Sequence, residues 1–123
     1  MDKIKVAFVD PHPIVSEGLT ALIDDAPDID VVFSELSCAV AIQRMYHQPV
    51  HILILVLYKP DPDDASQIAG IIARHPRVNV LVLSMFKIEN LIFKMIRAGA
   101  KGNLTSETNP SDKDTVKAAL AEQ

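Results

Sequence analysis

Apolar residues in this chain fall alternately into short runs and into stripes at helical spacing. The most informative run is Ile52-Leu53-Ile54-Leu55-Val56-Leu57, stopped by Pro60-Asp61-Pro62-Asp63-Asp64. So short a run, so rich in Ile, Val and Leu, predicts a parallel strand with helices over both faces. Before it, Ile4-Lys5-Val6-Ala7-Phe8-Val9 predicts a first strand with Asp10 at its carboxyl end. Pro11-His12-Pro13 then opens a helix, because proline is tolerated in a first helical turn. Ile14, Val15, Gly18, Leu19, Leu22 and Ile23 recur at helical spacing until Asp25-Ala26-Pro27-Asp28 ends the stripe. Ile29-Asp30-Val31-Val32-Phe33 predicts a second strand, and Ser37 is placed to cap a second helix through Ala39, Ile42 and Met45 to about His47.

Beyond the central strand, Ile68, Ile71 and Ile72 mark a third helix running toward His75-Pro76. Val78 to Leu83 is a second run of buried character, ending at Ser84. Ile88, Leu91, Ile92 and Met95 predict a fourth helix, closed by Gly99 after Arg97. Lys101-Gly102-Asn103-Leu104 reads as a short edge strand, and Asn109-Pro110-Ser111 starts a last helix through Val116, Ala119 and Leu120. Five strands alternating with five helices predict one domain over residues 1–123. Its expected class is α/β, a doubly wound (βα)5 three-layer sandwich around a parallel five-stranded sheet.

Composition narrows the function classes. The chain is 49% hydrophobic but only 5% aromatic, with no Trp, so the core is expected to be aliphatic. The single cysteine, Cys38, cannot form an internal bridge, and no secretory leader is read at the start; a reducing cytoplasm is the expected compartment. No apolar run is long enough to span a bilayer, so no membrane partner is expected. Net charge is −4 and the 12 Lys and Arg are scattered, without the basic stripe of a nucleic-acid surface. DNA contact is therefore expected only through a domain not present in this sequence.

Sheets of this kind place ligands and chemistry just beyond the carboxyl ends of their strands. Asp10, Ser84 and Ser106 gather there. Around them stand Val9-Asp10-Pro11-His12-Pro13 with Gly18, Pro27-Asp28-Ile29-Asp30-Val31-Val32, Ile52 to Leu57 with Pro60, Leu83-Ser84, and Arg97-Ala98-Gly99-Ala100-Lys101-Gly102. In these segments the chain resembles the receiver domains of bacterial response regulators, closest to the NarL/FixJ type. The resemblance covers nearly the whole chain and implies a CheY/flavodoxin-like sheet. It also implies a role in two-component signal transduction, as the regulatory or dimerisation module of a transcription regulator. The resemblance leaves room for a helix-turn-helix domain after Gln123 in the full-length protein.

In that family an aspartate ending the third strand takes a phosphoryl group from a histidine kinase. Two acidic residues after the first strand hold Mg2+, and a Ser or Thr and a Lys after the fourth and fifth strands read the phosphate. The chemistry needs all of them: a carboxylate nucleophile, a cation to offset repulsion of the phosphodonor, and a point charge on the phosphate. Carried onto this sequence, the nucleophile position is Val56, the second acidic position is Pro11, and the lysine position is Ser106. The aromatic switch residue of the fifth strand is replaced by Asn103. Only Asp10 and Ser84 survive. The expectation is a degenerate, atypical receiver that is not phosphorylated at the usual position, with no catalytic residue, metal site or cofactor of its own.

Plainer roles stand beside the sharper ones. Asp10 is expected to cap the first helix rather than to hold a cation by itself. Asp10-Pro11-His12 matches the opening of a cobalamin signature, but Val15 stands where that signature needs glycine. Asp61, Asp63 and Asp64 read as a solvated turn. Phe86 and Phe93, seven residues apart, are the candidate interface for a protein partner or a second copy. Two other functions fit the same residues: a stand-alone interaction adaptor, and a small-ligand sensor using the degenerate pocket.

Overall fold

The computed structural model of this chain describes residues 3–23, 26–59, 61–84, 99 and 102–105. Along the chain these are β1 (Ile4–Val9), α1 (Ile14–Ile23), β2 (Ile29–Glu35), α2 (Cys38–Met45), β3 (Ile52–Leu57), α3 (Asp64–Arg74), β4 (Asn79–Ser84) and β5 (Gly102–Thr105). The strands form one sheet in the order β2-β1-β3-β4-β5, and each neighbouring pair is parallel. From β1 the chain first steps outward to β2, then crosses back to β3 on the other side. That reversal puts the switch point of the doubly wound sheet between β1 and β3.

The six-residue apolar run is β3, buried along its whole length. Side chains alternate across a strand, so the run serves two cores. Leu53, Leu55 and Leu57 pack with Ala41 and Met45 of α2 and Ile68 and Ile71 of α3. Ile52, Ile54 and Val56 pack on the opposite face with Leu19 and Ile23 of α1. The sheet thus separates two aliphatic layers. No helix among the described residues is long and apolar enough to cross a membrane.

Several boundaries differ from those expected. β2 continues two residues past Phe33, to Glu35. The Arg44 guanidinium of α2 lies 4.8 Å over the Phe33 ring and pairs with Glu35 at 2.9 Å, which holds the strand end against the helix. The β1–β2 register also shifts between Val6 and Ala7, so β2 spends one extra residue there. β4 and β5 each sit one residue later than the apolar pattern suggests, which brings Ser84 into β4 as its last residue. The Ser37 hydroxyl accepts the Val40 amide at 3.3 Å and caps α2. Gly99 has φ 125°, a conformation open to glycine, and a Cβ there would collide with the Ile72 side chain.

The acidic cluster is not simply a solvated turn. Asp61 Oδ1 accepts the Asp63 amide at 2.8 Å, while Asp64 Oδ2 accepts the Asp61 amide at 3.2 Å. Asp64 is the first residue of α3 and only 8% exposed. Burial raises its pKa above the ordinary value, against the lowering effect of the Asp61 amide. The expected fourth and last helices, with Phe86, Phe93 and Ser106, lie outside the described residues.

Candidate functional site at the carboxyl edge

β1 delivers Asp10 to the sheet's carboxyl edge. Its amide still donates to the Glu35 carbonyl at 2.9 Å, continuing the β1–β2 ladder by one bond. Pro11 has no N–H to offer, so the ladder ends and the chain turns through His12 and Pro13 into α1. The Glu17 amide donates to the Pro13 carbonyl at 2.9 Å, an early bond of the helix, which leaves earlier amides to find other acceptors. One of these is Ser16, whose amide donates to Asp10 Oδ2 at 2.9 Å. The His12 amide donates to Asp10 Oδ1 at 3.0 Å. Asp10 therefore caps α1 from outside the helix, and it is fully buried.

A third donor reaches the same carboxylate. Tyr58, the first residue after β3, donates its hydroxyl to Asp10 Oδ1 at 2.6 Å, and the His12 carbonyl lies 2.8 Å from the same hydroxyl. A phenol has one proton, and the short contact to a charged acceptor takes the larger share of it. The His12 ring meets the Tyr58 ring edge-on at 5.1 Å, fixing the phenol's orientation. Burial, then the bond to Asp10 and its charge, push the Tyr58 pKa well above the ordinary phenol value. The hydroxyl consequently keeps its proton at neutral pH and remains a donor. Oδ1 thus accepts two bonds and Oδ2 one from within the chain, and the full burial of Asp10 leaves a cation no open approach to the carboxylate.

The remaining sequence-derived positions divide clearly. Val9 pairs with Leu55, so Asp10 and Val56 follow one another at neighbouring strand ends. Val56 is 1% exposed and packs in the α1-side core with Phe8, Ile54, Leu81 and Leu83. Ser84 is fully buried one strand further on, opposite Leu57 of β3 and Thr105 of β5. Pro11 is exposed and turned toward α2. Ser106 falls outside the described residues.

Tyr58 is the residue that the sequence reading missed. The signal was available in part. A lone buried carboxylate must find donors, and the residue just past β3 is a hydroxyl-bearing aromatic at the same edge.

No family model matches the chain. It is 31% identical over 101 residues to the oxygen regulatory protein NreC of Staphylococcus epidermidis, a match covering 80% of this chain and 46% of that protein. The chain spans about half the length of the curated relatives it matches. Among solved structures, a two-component response regulator of the LuxR family from Aurantimonas sp. SI85-9A1 superposes with a TM-score of 0.83 at 25% identity, covering 99% of this chain and 88% of that one. The isolated REC domain of RcsB from Salmonella enterica serovar Typhimurium, with phosphomimetic BeF3-, gives 0.83 at 22% identity, covering 98% and 90%. The fold is the CheY-like receiver fold of these neighbours, and part of a nitrate/nitrite response regulator protein homolog from Haemophilus influenzae matches this chain at 28% identity, over 89% of this chain and 52% of that protein.

Proposed function

We propose that this chain is the receiver module of a NarL-type transcription regulator and that aspartyl phosphate at the end of β3 does not set its state. The observation that carries this reading is the full burial of Asp10 with both oxygens hydrogen-bonded, by the Ser16 and His12 amides and the Tyr58 hydroxyl. One carboxylate with both oxygens engaged, beside Pro11 and Val56, is a poor donor set for Mg2+, which favours open octahedral oxygen sites. Val56 offers no nucleophile, and Ser106 stands where the family has its phosphate-reading lysine. No catalytic residue and no cofactor are assigned.

In an ordinary receiver the phosphate biases a two-state equilibrium. Here the Tyr58–Asp10 bond and the apolar packing of Val56 hold one arrangement without it. The input is then protein concentration or a partner, met through a homodimer or heteromeric contact for which Phe86 and Phe93 are the proposed interface. DNA is reached through a domain other than residues 1–123. If no such domain exists in the full-length protein, the same site serves a phosphorylation-independent adaptor.

The test is intact-mass measurement after incubation with a small phosphodonor and Mg2+. The expected result is an unchanged mass. A stable gain of about 80 Da, one phosphoryl group, overturns the proposal.

A further inference from the structure

The switch-point crevice between β1 and β3 is divided in two. Asp10 and Tyr58 close its α1 side, but its α2/α3 side opens into a cavity of about 700 Å3. This is within the size range of small-molecule sites and at the position where doubly wound sheets bind ligands. Its floor is apolar, built from Val9, Leu55 and Leu57, with Ile42 of α2 as a wall. The two helices are tied at both ends of the groove. The Cys38 thiol donates to Gln67 Oε1 at 3.1 Å, and His75 Nε2 lies 3.0 Å from the Ile42 carbonyl.

Between those ties the helices leave a gap, and Gly70 lines it. Glycine is a poor residue for the middle of a helix. Close packing does not require it here, since an added Cβ would meet nothing within 4 Å. Open groove lies where a side chain at this position would stand. Further along the same stripe of α3 stands Arg74, the only charged residue lining the cavity among the described residues, in a protein of net charge −4. Arg74 is exposed and has no carboxylate partner among the described residues. From Gln67 to Arg74 the stripe spans about 10 Å.

We propose that the groove between α2 and α3 binds a small, elongated amphiphile, with its apolar body on Val9, Leu55, Leu57 and Ile42 and its carboxylate at Arg74. Charge complementarity selects the head group, and the aliphatic floor selects the chain. Burial, then the charge of Asp64, pushes the Cys38 pKa up to about 11, so the thiol stands in the wall as a neutral group. The site is separate from Asp10. A chain that gains phosphoryl mass yet binds the amphiphile overturns the reading above and not this one.

Decanoate is the probe, with decanol as the uncharged control, in calorimetric titrations of the full chain. Saturable binding at one decanoate per chain is expected, with protection of Cys38 from a thiol reagent. Decanol, and decanoate on Arg74→Gln, should bind about tenfold more weakly, as expected for loss of one charged contact. Gly70→Leu, which fills the gap, should abolish binding while thermal unfolding stays cooperative. If that variant does not fold, Arg74→Gln and decanol decide. Unsaturable uptake, equal affinity for decanol, or binding indifferent to Arg74→Gln overturns the proposal. So does a Gly70→Leu change in oligomeric state without decanoate binding, which would make the groove a protein interface.

Discussion

Val56→Asp, which places a carboxylate at the end of β3, is expected to destabilise the fold by about 3–5 kcal/mol at neutral pH, because it buries a charge without a partner. Val56 is 1% exposed among Phe8, Ile54 and Leu83, and the new group would stand at the strand end beside the Asp10 carboxylate. Apolar surroundings and a neighbouring negative charge both favour the protonated acid, so its pKa rises. The sign follows: the variant's deficit should be smallest in acid, where the group is neutral, and should grow as pH rises past the ordinary carboxylate range. Urea unfolding at acid and neutral pH measures this. A variant as stable as the parent at neutral pH would mean that the strand end is wetter and more adaptable than its packing indicates.

Asp10→Ala should cost about 2–4 kcal/mol, since it strips the acceptor from two amides and a phenol in a buried setting. The Ser16 amide is the more exacting of these, as its bond to Asp10 is fully buried. Tyr58 loses less, because the His12 carbonyl remains 2.8 Å away. Asp10→Asn keeps one acceptor oxygen and should fall between Ala and the parent. The same variants change the alkaline limb. In the parent, the raised Tyr58 pKa means that the folded state holds its proton more tightly than the unfolded chain. That contribution is complete below the ordinary phenol value of about 10 and declines as pH rises above it. Without Asp10, two of the raising causes disappear, leaving burial against the lowering effect of the Val15 backbone, so phenolate should form at lower pH. Absorbance titration in a Tyr46→Phe background isolates Tyr58, since the chain has only two tyrosines.

The layers of the fold were legible because β3 announces itself. Six apolar residues with both alternating faces buried leave little choice but a central parallel strand. The stripes of α1, α2 and α3 are as plain, and Ser37 caps α2 as its side chain suggests. Strand ends were less legible. β2 runs on to Glu35 because Arg44, nine residues ahead, holds it there, and periodicity carries no trace of such a tertiary contact. Asp64 looks from its neighbours like one more solvated acid, yet the first turn of α3 buries it.

At the candidate site, residue identities could be read but not the way their hydrogen bonds close. Asp10, Val56 and Ser84 were placed at three strand ends by counting residues, and the strands that carry them lie side by side in the order β1-β3-β4. The partner of Asp10 was not legible, because Tyr58 is 48 residues away in sequence. Only the β1–β3 pairing brings the two together. Likewise Gly70 lines the α2/α3 groove, and a glycine in a helical stripe reads first as a weak helix former.

Whether Asp10 is spoken for is tested most directly by a Mg2+ titration followed by amide chemical shifts. With the Ser16 amide, His12 amide and Tyr58 hydroxyl in place, amides at Asp10, His12 and Val56 should show no saturable shift at millimolar Mg2+. A saturable, local response at those residues would mean that the carboxylate is free to take a cation, and the central claim would be wrong.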